Sequence, residues 1–153
     1  MTRQATEDDA KQIAELLKPH VESKVLLHRS TEEIKQNLDK TLVDVDAGRV
    51  VGTVSLVFFT PSLCEIRALA ISPATQGHGI GKRLVLAAEQ MALSLQTERP
   101  MRFFALTYTP EFFERCGYAR TTKDMFPEKI YEVCNFCLRK DDCHEIAVQK
   151  TVR

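Results

Sequence analysis

Several things are missing from this chain, and each absence narrows its possible roles. No run of about 18 apolar residues occurs, so nothing reads as a membrane span. The opening Met1-Thr2-Arg3-Gln4 leads into polar sequence rather than a secretory leader. Neither sign of charge is in excess: 21 Lys and Arg balance 21 Asp and Glu, which leaves no electrostatic footprint for DNA, RNA or an anionic membrane. There is no internal repeat and no low-complexity linker. At 153 residues the chain suffices for one core, and residues 1–153 are expected to form a single domain. Five cysteines is an odd number in a chain too large to need stapling, so reduced thiols in a cytoplasm are expected.

What is present centres on Gln76-Gly77-His78-Gly79-Ile80-Gly81. Before it, Glu65-Ile66-Arg67-Ala68-Leu69-Ala70-Ile71 is rich in β-branched and aliphatic residues and ends at Ser72-Pro73, which predicts a strand closing into a turn. After it, Leu84, Ala87, Ala88, Met91 and Leu95 recur at helical spacing, with Lys82, Arg83, Glu89 and Gln90 expected on the opposite, polar face. Three glycines therefore sit between a strand and a helix N-terminus. Unpaired N–H groups, the positive end of the helix dipole and the lack of side chains suit such a turn to a phosphate or pyrophosphate. Lys82 and Arg83 fall in the first helical turn, where the dipole disfavours cations, and a bound anion is expected to compensate them. The spacing is neither a P-loop nor G-x-G-x-x-G. Read without any ligand, the same turn simply packs helix on strand.

Along the chain, Thr2 to Gln4 predicts a short strand. Thr6 caps a helix that carries Ile13, Leu16 and Leu17 and that Pro19 is expected to stop. Ser30 or Thr31 caps a second helix through Ile34. Thr41 to Asp46 and Val50 to Phe59 predict a hairpin around Ala47-Gly48. The long helix runs to about Gln96. Met101 to Leu106 reads as a strand, Pro110 to Cys116 as a short helix with Gly117 beyond its end, Tyr118 to Thr121 as a strand, and Ile146 to Val152 as the last strand. This order predicts an α+β protein of mixed α/β layers.

The pattern Gln-Gly-His-Gly-Ile-Gly resembles the Gln/Arg-x-x-Gly-x-Gly/Ala signature of the GNAT acetyltransferases. Two further stretches, Leu26 to Ile34 and Phe104 to Tyr118, together with Met125-Phe126-Pro127-Glu128-Lys129, resemble the acetyltransferase domain of the N-acetylglutamate synthases. The resemblance runs from about residue 25 to the end and lacks the amino-acid kinase domain of the long synthases, as in a free-standing short type. It implies a GNAT-like splayed mixed sheet flanked by helices. It implies acetyl transfer from acetyl-CoA to the α-amine of an amino acid, glutamate first, as the opening step of arginine biosynthesis. Another small amine, a protein amine, or a non-catalytic acetyl-CoA sensor stand as alternatives. The implied partners are acetyl-CoA and a small amine acceptor, with no nucleic acid or membrane, and a homodimer is possible.

The resemblance also distributes roles. Gln76, Gly77, His78, Gly79, Ile80, Gly81 and Lys82 correspond to the pyrophosphate cradle. The main chain of Leu69, Ala70 and Ile71 corresponds to the pantetheine-pairing strand and to the donor for the tetrahedral oxyanion. Glu65 matches the glutamate that serves as general base through water; without the resemblance it reads as a solvated charge at a strand end. The tyrosine that many GNAT proteins carry as general acid is replaced by Phe113, which leaves Thr107 and Tyr108 as the nearest hydroxyls and Tyr108 as the candidate acid. Arg29 matches a synthase arginine and suits a substrate carboxylate. Arg67 shares the strand face of Glu65 by alternation and is a second candidate, and Arg115 reads as surface. Cys134, Cys137, Cys143 and His144 form C-x2-C-x5-C-H, open to a zinc knuckle or to free thiols; adjacent ligands and a short second loop favour thiols, and no catalytic metal is expected.

Overall fold

In the computed structural model, residues 1–22, 31–127 and 145–153 are described. The elements run β1 (Thr2–Gln4), α1 (Ala10–Glu22), α2 (Thr31–Gln36), β2 (Thr41–Asp46), β3 (Arg49–Thr60), β4 (Leu63–Ile71), α3 (Ile80–Leu95), β5 (Met101–Thr107), α4 (Pro110–Arg115), β6 (Ala119–Thr121) and β7 (Ile146–Val152). The strands form a seven-stranded sheet of order β1-β2-β3-β4-β5-β7-β6. It is mixed: β4 and β5 are parallel, whereas β1–β2, β2–β3, β5–β7 and β6–β7 are antiparallel.

The chain divides into two compact units, Met1–Val57 with Ile66–Leu95, and Phe58–Glu65 with Gln96–Arg153. In the first, the core gathers Ile13 and Leu17 of α1, Ile34 of α2, and Val43, Val50, Ala68 and Ala70 of the strands. Alternation puts Val43 on that face and its neighbours Leu42 and Asp44 on the other. The β2–β3 hairpin closes at Ala47-Gly48, both with positive φ, as a tight two-residue turn requires. In the second unit Phe104 stacks on Phe126 at 4.1 Å and packs with Phe59, Leu63, Leu106 and Ala147. Gly117 (φ 93°) ends α4, its N–H donating to the Glu114 carbonyl.

Two expectations are corrected. Pro19 does not stop α1, which continues to Glu22 with the proline inside it. Pro19 lies on the solvent face, where water can take the freed carbonyl bond, so the ring is tolerated near the helix end. Glu89 is not on a solvated face of α3 but 4% exposed, so the buried face of this helix is wider than the apolar stripe suggests.

Candidate functional site

The glycine turn is built as its sequence predicts. Ser72 leaves β4 with its N–H bound to the Val51 carbonyl at 2.8 Å, and Pro73–Thr75 makes one 3-10 turn. The Gln76 amide donates back to the Ile71 carbonyl at 3.4 Å. Gly77 (φ 87°) and Gly79 (φ 76°) occupy the left-handed region, where an L side chain is strained, and nothing lies within 4 Å of where their Cβ atoms would be. The first carbonyl of the helical ladder is that of Gly79, taken by the Arg83 N–H at 3.1 Å. The N–H groups of Ile80, Gly81 and Lys82 therefore precede any intrahelical acceptor and stand at the positive end of a 16-residue helix. Gln76 through Gly79 and Lys82 are exposed around them, whereas the Ile80 side chain is buried and offers only its main chain.

Arg83 departs from one expectation: its charge is met within the fold rather than left for a ligand. Its Nε donates to Asp44 Oδ2 at 2.8 Å and its Nη2 to Oδ1 at 3.0 Å. Thr2 Oγ1 donates to the same carboxylate at 2.7 Å, and the Met1 ammonium stands 3.4 Å away. Burial pushes the Asp44 carboxyl up, but the Arg83 and Thr2 hydrogen bonds and the Arg83 charge outweigh it and hold it at about 2.

The strand leading to the turn carries a feature that sequence reasoning missed. Ala68 has φ 55°, in the middle of β4. A non-glycine residue there re-aims the peptide groups on either side of it and stores about 1–3 kcal/mol of strain, a device that concentrates at functional positions. Leu69 and Ile71 beyond it are half-buried and Ala70 is buried, so their side chains pack. Arg67, one residue before Ala68, is half-buried.

Glu65 and Tyr108 fall in the second unit. Glu65 is 3% exposed and sits beside Phe104 in the β4–β5 register, so it is a buried carboxylate rather than a solvated strand end. Tyr108 stands exposed between β5 and α4. The Thr107 hydroxyl accepts the Thr109 N–H at 2.9 Å and is engaged in that turn, which leaves Tyr108 the freer hydroxyl of the two. Phe113 is core, edge-on to Phe112 and Tyr118, and Arg115 is surface. Arg29 and the Cys134, Cys137, Cys143 and His144 set lie outside the described residues; among those described, no group of three His, Cys, Asp or Glu is placed to hold a metal.

A mixed seven-stranded sheet flanked by helices, with a glycine turn opening the longest of the described helices, defines the GNAT fold. Residues 8–118 match the Acetyltransferase (GNAT) family. A Chlorobaculum tepidum protein described as an uncharacterized N-acetyltransferase is 35% identical over 150 residues, 98% of this chain and 95% of its own. An amino-acid acetyltransferase of Neisseria meningitidis is 34% identical over 128 residues, 82% of this chain but 29% of the longer protein. The crystal structure of N-acetylglutamate synthase from Neisseria gonorrhoeae, complexed with coenzyme A and N-acetyl-glutamate, superimposes with a TM-score of 0.84 at 27% identity, over 100% of this chain and 35% of that one. The chain belongs to the Acetyltransferase (GNAT) family. It is an N-acetyltransferase of GNAT type, related to the amino-acid acetyltransferases.

Proposed function

We propose that this chain, acting as one domain, transfers the acetyl group of acetyl-CoA to the α-amine of L-glutamate. On this reading it is cytoplasmic and opens arginine biosynthesis. The observation that carries the acceptor assignment is the likeness to N-acetylglutamate synthase along the whole chain, supported by the amino-acid acetyltransferase relative. Both proteins are about three times longer than this chain, so the assignment concerns the acetyltransferase chemistry alone.

Acetyl-CoA is the co-substrate. Its pyrophosphate lies against the N–H groups of Ile80, Gly81 and Lys82, with Gln76 to Gly79 around it and the Lys82 ammonium as a further cation. The pantetheine arm runs along the main chain of Leu69, Ala70 and Ile71. The ammonium of the acceptor must lose a proton before it attacks, and Glu65 takes that proton through water. The neutral nitrogen then adds to the thioester carbon. The charge that develops on the carbonyl oxygen is met by a backbone N–H just beyond Ala68. Collapse breaks the C–S bond as Tyr108 protonates the departing thiolate, and the ammonium of the intermediate gives its extra proton, through water, back to the Tyr108 oxygen. Arg29, with Arg67 as the second candidate, holds the acceptor's carboxylates, since a planar guanidinium matches a carboxylate with two parallel hydrogen bonds.

The test is an acceptor screen with single amino acids and polyamines, following free CoA. Glutamate is expected to give the highest kcat/KM, with glutamine well below it. Release of CoA with a polyamine or protein lysine in preference to glutamate refutes the acceptor. Acetyl-CoA binding without turnover of any amine favours a sensor.

A further inference from the structure

The first turn of α3 is held by two residues that face each other across the β2–β3 ladder. Asp44 and Gly52 are register partners, next to an irregularity between Asp44 and Val45. Gly52 leaves room: a Cβ there would stand 2.8 Å from Leu84 Cδ1, 3.0 Å from Ile80 Cγ2 and 3.1 Å from Ile71 Cδ1, distances at which those groups must shift. Beside this gap, the Asp44 carboxylate is 1% exposed and receives both prongs of the Arg83 guanidinium. Ile80, Arg83 and Leu84 are spaced i, i+3 and i+4, so they share one face of the helix. Apolar contact on the gap and a charge-assisted pair at its rim therefore fix that face, and Lys82 is left on the opposite, exposed side.

We propose that the Asp44–Gly52 pair is a seat for the head of α3, and that Asp44 and Arg83 are positioning residues for acetyl-CoA. They hold the N–H groups of Ile80, Gly81 and Lys82 in their anion-binding arrangement before the co-substrate arrives, and Arg83 does not itself touch the pyrophosphate. The inference rests on the placement of acetyl-CoA at the glycine turn given above. An array of amides binds an anion well when it is already ordered, because ordering it on binding subtracts from the affinity. The two cations at the disfavoured end of the helix then have different roles. Arg83 is neutralised from within by Asp44, and Lys82 remains available to an anion.

The test uses the full chain, acetyl-CoA as the probe, and titration calorimetry well below the melting temperature. Arg83→Met and Asp44→Asn are each expected to weaken the Kd for acetyl-CoA about tenfold. The double variant should be no weaker than either single one, because the two act as one pair. Amide hydrogen exchange at residues 83 to 85, where the hydrogen-bonded ladder of the helix begins, should quicken in the free variants. Gly52→Ala, which disturbs the seat without touching charge, should move affinity and exchange in the same direction and keeps the test open if Asp44→Asn fails to fold. A folded Arg83→Met or Gly52→Ala protein with wild-type Kd and exchange overturns the seat, even if its melting temperature is lower. Loss of affinity in Arg83→Met with none in Asp44→Asn overturns it too, and makes Arg83 a direct phosphate contact. If the wild type does not bind acetyl-CoA, the glycine-turn assignment itself has failed, and this inference falls with it.

Discussion

Glu65 is a carboxylate buried in a strand whose neighbours Cys64 and Ile66 are also buried. A group in that position is there for chemistry or for an internal partner, and a general-base role separates the two by its pH signature. Glu65→Gln keeps the shape and removes the base. It is expected to lower kcat by about 10²–10⁴, with little change in acetyl-CoA affinity, and the deficit should shrink at high pH as the amine deprotonates unaided. Steady-state rates from neutral to alkaline pH decide this, and wild-type kcat throughout removes Glu65 from the mechanism. The residue was legible as a candidate only through its place in a family pattern. Its depth was not, because a carboxylate before Ile66-Arg67 reads equally well as a solvated charge. The Asp44–Arg83 pair was less legible still. The partners are 39 residues apart, and only the β2–β3 hairpin and the docking of α3 bring them together. From sequence, Arg83 looked like a cation awaiting a ligand.

At the scale of elements, the strand, glycine turn and helix were legible together, because each leaves a local signal. The β-branched run, Ser72-Pro73, the glycines and the 3.6-residue spacing all act within a few residues of where they stand. The left-handed Ala68 leaves none. Alanine is common in strands, and no residue near it in the sequence announces a φ of 55°. Pro19 shows the converse: a strong local signal that an exposed position near a helix end absorbs. The glycine turn yields a prediction of its own. At Gly79 there is room for a side chain but not for its backbone, since φ is 76°. Gly79→Val should therefore cost about 1–2 kcal/mol of stability through strain alone and leave the fold standing. Acetyl-CoA binding should be lost, because the turn must relax to a negative φ and the N–H array loses its direction. Circular dichroism checks the fold and calorimetry the binding. A folded Gly79→Val protein that binds acetyl-CoA normally sinks the assignment of the turn.

At the scale of the whole molecule, the acid limit of stability is set by carboxylates that the fold buries. Asp44 is 1% exposed and held at about 2, its burial outweighed by Arg83 and Thr2. Asp9 is 4% exposed and lies below its ordinary range. Hydrogen bonds from Arg3 outweigh burial there, and the Thr6 N–H adds a further bond at 2.7 Å. Both groups bind protons more weakly when folded than when unfolded. Between the folded and unfolded values the unfolded chain carries the extra protons, so stability falls as pH falls. The contribution of Asp44 is complete above its ordinary value of 3.8 and is lost as pH drops toward about 2. Denaturant unfolding should therefore give a free energy that these two groups leave flat above about pH 5, with a slope in the acid window approaching about 1.4 kcal/mol per pH unit for each carboxylate. Asp44→Asn should be less stable at neutral pH and should show a shallower acid slope, since one titrating carboxylate is gone. The two curves should converge toward pH 2, where the wild-type Asp44 is itself being neutralised. Curves that run parallel from pH 5 to pH 2 would show that Asp44 does not titrate with folding, and that its pair with Arg83 adds nothing to the stability of the charged form.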